Sequence, residues 1–327
     1  YFNKTAKTVK TALGNIEVNS YTPDFTKSAC DDSSCESHEK GIFETTDNDG
    51  NPTYYYRGSV ENNYVKFAGY FWRIIRINSN GSIRMIYDGT IAHVNGESSE
   101  DRQYGTSPFN PAYDNNMYVG YMYAEGDAHG TGTSSTIKTN ADKFYTDKLS
   151  SYASKLDATA GFCGDRSNLN QQNGAGTGNV VTYNKGYLRV EKSTPTLICE
   201  NTNDYYTLTS TTTGNKKLTY PIGLITVDEA MLAGHSGGIF DGMHNEMKIN
   251  KASYLTTGHV FYTMTSPGGY NPYDFTFWYA SVFTVNIVGG FDDEATNYNY
   301  GLRPVINIRS DVTITGSGTM TDPYVVN

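Results

Sequence analysis

Tyr54-Tyr55-Tyr56-Arg57-Gly58, then Tyr64-Val65-Lys66-Phe67-Ala68-Gly69-Tyr70-Phe71-Trp72-Arg73-Ile74-Ile75-Arg76-Ile77, then Ser82-Ile83-Arg84-Met85-Ile86-Tyr87 behind Asn80-Gly81, is the stretch that decides the fold. β-Branched and aromatic residues fill it, and these suit a pleated, half-buried surface. Asn80-Gly81 is a strong hairpin signal because both residues tolerate positive φ. The runs Trp72–Ile77 and Ile83–Tyr87 are therefore expected to pair antiparallel. Alternation puts Ile75 and Ile77 on one face and Ile74 and Arg76 on the other, so one face is expected to be drier.

Working outward, the 327 residues suffice for one large β-rich domain or two smaller ones. Only 18% are charged, while Tyr (28) and Gly (33) are abundant, a composition of short strands and long polar loops. The expected class is α+β and β-rich, with antiparallel sheets, few helices and long loops. A net charge of -9 argues against a nucleic-acid partner and against an anionic membrane surface. The even count of four Cys fits an oxidising, extracellular location, with Cys30 paired to Cys35 and Cys163 to Cys199. Zinc at Cys30 and Cys35 is disfavoured, because Cys163 and Cys199 are distant and not closely spaced.

The N-terminal residues to about 20 read as a short helix, with Ala6, Val9, Ala12 and Leu13 at helical spacing and Gly14 as a stop. They suggest a frayed terminus or the end of a stalk whose membrane anchor was removed ahead of Tyr1. Residues 1–40 are accordingly set apart as helix, stalk and disulfide loop, and 41–327 as the β-rich domain, with an optional division near 215. Asp47-Asn48-Asp49-Gly50 resembles part of a calcium loop but lacks the first and last acidic ligands, so a turn is expected. No cofactor is expected; calcium is the one ion left open.

Residues 88–133 read as a long loop in which Tyr118–Tyr123 is the only strand-like island. His93, Glu97, Glu100, Asp101, Asp127 and His129 are expected there as solvated residues. Ser134–Leu156 is the strongest helix, with Ile137, Ala141, Phe144, Tyr145, Leu149, Tyr152 and Leu156 as a core-facing stripe. Thr226 is expected to cap a helix, with Asp228 and Glu229 in its first turn and Gly234 at its end. The last third reads as strands at 260–265, 275–280, 282–288, 302–308, 312–314 and 324–326.

Four motifs carry a resemblance: the Trp72–Ile77 strand, Gly223-Leu224-Ile225-Thr226-Val227-Asp228-Glu229, Tyr262-Thr263-Met264-Thr265-Ser266-Pro267, and Gly301-Leu302-Arg303-Pro304-Val305-Ile306-Asn307. Together they resemble secreted or surface-anchored Firmicutes proteins. The C-terminal part looks like a C-type-lectin-like domain of the formylglycine-generating-enzyme type, and the resemblance covers roughly residues 41–327. It implies a scaffold that displays the segment ahead of the Gly-x-Arg strand, as retroelement-diversified binding proteins do. Tyr270, Tyr273, Phe275, Trp278, Tyr279, Asp292, Asp293, Asn297, Tyr298 and Tyr300 would then form the ligand surface. The oxidase branch needs reactive Cys in the C-terminal region, and no Cys follows Cys199.

The expected function is thus an extracellular, non-enzymatic adhesion protein for a protein or glycan ligand. A pilin-like, self-assembling filament subunit is the first alternative. A glycan hydrolase using Asp228 and Glu229, or Asp292 and Glu294, is the second.

Overall fold

A computed structural model describes residues 6–14, 16–30, 34–169, 182–209, 214–236, 249–269 and 279–327. Strand accounts for 29% and helix for 19%, in open sheets, as the composition requires. The expected hairpin forms: Tyr70–Ile77 pairs with Ile83–Gly89, and Ile77 lies opposite Ile83. Its turn differs from the expected one. The Gly81 amide donates to the carbonyl of Asn78 (2.8 Å), and Gly81 takes φ 82° while Asn80 stays out of the left-handed region. The hairpin closes through Ser79 and Asn80, with Gly81 supplying the reversed backbone.

This hairpin is the middle of a nine-stranded sheet. The second edge of Tyr70–Ile77 is shared: Tyr64–Phe67 pairs along its first half and Pro52–Arg57 along its end, with Gly41–Thr46 beyond. Val305–Ile308 pairs on the far side of Ile83–Gly89. The expected drier and wetter faces are corrected, because Trp72, Arg73, Ile74, Ile75 and Ile77 are all buried. Elements cover both faces of a strand at this depth.

Two one-residue bulges explain why simple alternation fails here. Trp72 faces Tyr87 and Phe71 faces Gly89, so Asp88 is an extra residue on one strand. Ile74 faces Met85 and Arg76 faces Arg84, so Ile75 is extra on the other. Bulges re-aim side chains, and Asp88 points into the interior. It accepts from Arg102 Nε (2.8 Å) and Arg303 Nη2 (3.0 Å), with Arg73 Nη1 at 3.9 Å; all four side chains are fully buried. Backbone carbonyls take most of the remaining donors, while Arg73 also donates from Nε to Asn63 Oδ1 (2.7 Å) and from Nη2 to Asn95 Oδ1 (2.7 Å). Arg102 serves Glu97, Tyr254 and Thr256, Arg303 serves Tyr87 and Leu255, and Arg73 serves Val60. The arginine of the Gly-Leu-Arg-Pro motif is thus an internal tie.

A second, seven-stranded sheet includes Phe261–Tyr262, Gly268–Gly269, Ala280–Val285 and Phe291–Ala295. Ala280–Val285 replaces the two strands expected on either side of residue 281; residues 275–278 lie outside the described residues. The expected helix starts at Thr136 behind its Ser135 cap and runs as α-helix to Phe144. It continues through a π turn, Tyr145–Leu149, and a 3-10 turn, Ser150–Lys155. Phe144 packs on Tyr70, Tyr87 and Tyr104, with centroids 4.5–5.9 Å away. Tyr152 is corrected from the stripe, being 39% exposed. Residues 118–123 do not form a single strand: a 3-10 turn, Asn116–Val119, precedes Met122–Tyr123.

The N-terminal expectation is also corrected. Lys7–Thr8 is a strand paired to Thr313–Ile314, and only Val9–Leu13 is helical. Val9 and Leu13 are buried in the chain's own core. One apolar cluster draws on residues from Val9 to Tyr324, and so crosses both residue 40 and residue 215. Both expected disulfides are present, Cys30–Cys35 and Cys163–Cys199. Among the described residues no helix is long and apolar enough to cross a membrane.

Candidate functional site

The expected helix forms as Val227–Leu232, and its N-terminus builds the site. Thr226 Oγ1 accepts from the Glu229 amide (3.0 Å), and the Thr226 amide donates to Glu229 Oε2 (3.0 Å), a complete capping box. Arg57, itself paired to Glu39, donates to the carbonyls of Met231 and Leu232 at the other end, where a cation favours the helix dipole. Capping accounts for one oxygen of Glu229. The other, Oε1, lies 2.6 Å from Arg84 Nε and 3.2 Å from Arg76 Nε.

The three-residue turn over 79–81 brings those two arginines together, with Ile77 across from Ile83 and Arg76 directly across from Arg84. Like charges at such a position destabilise a sheet, and here one carboxylate serves both. Arg84 is sealed in: it also donates to the carbonyl of Gly161 (3.1 Å) and lies over the Phe162 ring, 4.3 Å from its centroid. Burial pushes its guanidinium down to about 10, with Glu229 opposing the shift. Arg76 is not sealed in. Its side chain is 14% exposed, and Glu229 is its sole ion-pair partner among the described residues. Its two terminal nitrogens make no hydrogen bond to those residues.

They open into a cavity of about 230 Å³. The cavity is bounded by the Asp47–Asp49 turn, the hairpin tip, Tyr205, and the stretch Thr196–Ile198 held by the Cys163–Cys199 bridge. Its far end is closed. Arg189 donates to both oxygens of Asp228 (2.7 and 3.0 Å) and to Asp165 (2.8 Å), while the Thr196 amide adds a bond to Asp228 (3.1 Å). Burial opposes the charge on Arg189, but the two paired carboxylates outweigh it and hold the guanidinium above its ordinary range. Asp228 and Glu229 therefore face one cleft, each held by arginine.

The expected ligand residues that are described do not line this cleft. Tyr270, Tyr273, Phe275 and Trp278 lie outside the described residues. Tyr279 and Asn297 are half-buried, and Tyr298 is 52% exposed. Tyr300 packs on Tyr262 (5.5 Å) and Tyr298 (6.0 Å), and the Tyr262 hydroxyl donates to the carbonyl of Tyr298 (3.0 Å). Tyr298 is thus the exposed ring of the described set, and Tyr300 works partly as packing.

Asp292, Asp293 and Glu294 sit on the strand Phe291–Ala295, which pairs only with Ala280–Val285 among the described residues. Acids on such an edge deter a further strand from adding. Asp292 accepts from Asn286 Nδ2 (3.1 Å). Burial pushes Asp293 up to about 7, with Glu294 and Asp292 adding to the effect.

Several residues expected to be solvated prove structural. His93 is buried, its ring nitrogens 3.0 Å from Glu97 and 2.9 Å from Asp101. His129 and Arg166 both bond Asp204. Among the described residues no group of three or more His, Cys, Asp or Glu has a metal-holding arrangement. Asp47 Oδ1 accepts from the amides of Asp49 and Asn51, so the calcium-like sequence is a plain turn.

The cleft itself was missed. One signal was available: Arg76 and Arg84 each lie four residues from Asn80, so a turn centred on Asn80, rather than on the expected Asn80-Gly81 pair, sets two like charges side by side. No protein-family model, curated protein or solved structure matches the chain.

Proposed function

We propose that the protein is an extracellular binding protein of the adhesion type, and that the cleft beneath Arg76 receives a polar group of its ligand. The carrying observation is Arg76, half-buried on the cavity wall with Glu229 as its sole ion-pair partner among the described residues. A guanidinium carries five N–H donors, and because Glu229 meets it at Nε, the four on the terminal nitrogens are left for a visitor. The two disulfides support the location, since such bonds persist in oxidising compartments. Binding rather than hydrolysis is favoured because the fold already engages both carboxylates, Asp228 through Arg189 and the Thr196 amide, and Glu229 through Arg84 and its capping box. The C-type-lectin-like display of 266–300 is the second reading, and the exposure of Tyr298 favours it.

Glycan and peptide arrays probed with the whole chain decide between the two. Ala160 lines the cleft, and Ala160→Trp fills it without touching an arginine. Array signals should vanish with Ala160→Trp and persist with Tyr298→Ala. Signals that survive the plug and disappear with Tyr298→Ala would move the site to the tyrosine segment.

A further inference from the structure

We infer that the group bound in the cleft is the carboxylate of an acidic sugar, gripped end-on by Arg76. The inference rests on the cleft being the binding site. Three observations carry it. Arg76 and Arg84 stand directly opposite each other in the central hairpin, a destabilising arrangement that the fold does not need. Glu229 is the only carboxylate within ion-pair distance of both among the described residues, so two buried or half-buried cations share one anion. An incoming carboxylate gives Arg76 an anion of its own; Asp165 and Asp228 in the same lining are taken by Arg189, so Asp47 and Asp49 at the rim are the acids that oppose it. Finally, Glu229 approaches Arg76 at Nε, which leaves the pair of terminal nitrogens as the free fork. A planar fork matches a planar carboxylate with two parallel bonds.

The rim narrows the class further. Asp49 lines the same cleft, and its carboxylate makes no hydrogen bond among the described residues. A free acceptor of that charge repels a multiply charged anion such as phosphate and favours a ligand that also brings hydroxyl donors. Asn78, Ser79 and Thr159 beside it spend their donors inside the fold, on Ser82 and Asn307, on Asp47 and on Asp157, so their oxygens are left to accept from ligand hydroxyls. A monoanionic, polyhydroxylated group meets all of these demands, whereas a peptide C-terminus lacks the hydroxyls.

The test is calorimetric titration of the whole chain with sodium glucuronate, glucuronamide, glucose, acetyl-alanyl-alanine and sodium phosphate. Glucuronate should bind at least tenfold more tightly than the other four, the range expected for charge-assisted bonds in a partly enclosed site. Arg76→Gln should abolish that preference. Arg76→Lys, which keeps the charge and loses the fork, should keep only part of it. Unchanged circular dichroism in both variants would show that the fold is intact.

Equal binding of glucose and glucuronate, blocked by Ala160→Trp, would overturn the acidic-sugar assignment and leave the cleft as the site. So would acetyl-alanyl-alanine or phosphate binding as tightly as glucuronate. Array ligands that still bind the Ala160→Trp chain would instead remove the cleft reading, and this inference with it.

Discussion

Replacing Asp88 with Asn tests the internal tie on which the hairpin depends. Asp88 is the one carboxylate beside Arg73, Arg102 and Arg303, with contacts at 3.9, 2.8 and 3.0 Å, and none of these side chains reaches solvent. Burial already pushes Arg73 and Arg303 down, and Asp88 opposes the shift in both. Asn keeps the volume and one acceptor but removes the charge. Stranding buried charges in this way costs about 3–5 kcal/mol. Set against a total stability of roughly 5–15 kcal/mol, this is a large share.

Urea unfolding at pH 7 gives the assay, with fluorescence from the buried Trp72 as one reporter. For a slope of about 3 kcal/mol/M the midpoint should fall by roughly 1–1.5 M with the slope unchanged. The variant carrying both Asp88→Asn and Arg303→Met should lose less than the two single changes summed, because the groups share one network. A midpoint within about 0.3 M of the parent for Asp88→Asn would refute the claim that this carboxylate holds the arginines in place.

Two further outcomes follow from the geometry. The folded-state pKa of Asp293 is raised to about 7, against an ordinary value of 3.8. Its protonated form therefore favours folding, and that stability is complete below about pH 4 and lost as pH rises through about 7. Asp293→Asn should accordingly stabilise the chain at pH 8 by on the order of 1–2 kcal/mol, after discounting for partial solvent screening, and have little effect at pH 4; thermal melts at the two pH values check this. Replacing both Cys163 and Cys199 by Ser removes a bridge spanning 36 positions and should lower stability by about 3–4 kcal/mol, read from urea midpoints. It should also weaken array binding, because Thr196–Ile198 then loses its clamp; binding at full strength would show that this wall is dispensable.

The sequence revealed what local chemistry specifies and little of what distance specifies. The hairpin was legible because apolar runs flank a turn signal, and Thr226 because a cap, its acids and a terminal Gly lie within nine residues. The disulfides followed from an even count. The burial of Asp88 depends on an inserted residue, and the meeting of Arg76 with Arg84 on a turn one residue longer than the expected one; alternation carries no mark of either. The cleft draws on segments near residues 48, 78, 161, 189, 197 and 228, which no local pattern links. His93 looked solvated because its loop is polar, yet its two carboxylate partners lie only four and eight residues on. In the tyrosine segment one residue type serves both packing and display, as Tyr300 and Tyr298 demonstrate side by side, so composition does not separate the two roles.

The hairpin's double insertion makes residue number, as well as residue identity, a heritable instruction. Removing Asp88 alone would make Tyr87 and Gly89 consecutive opposite Trp72 and Phe71, and would take their shared carboxylate from Arg73, Arg102 and Arg303. Removing Ile75 alone would leave Ile74 across from Met85 and Arg76 across from Arg84, closing the ladder into plain alternation. A single-codon deletion would therefore break the scaffold on one strand and only straighten it on the other.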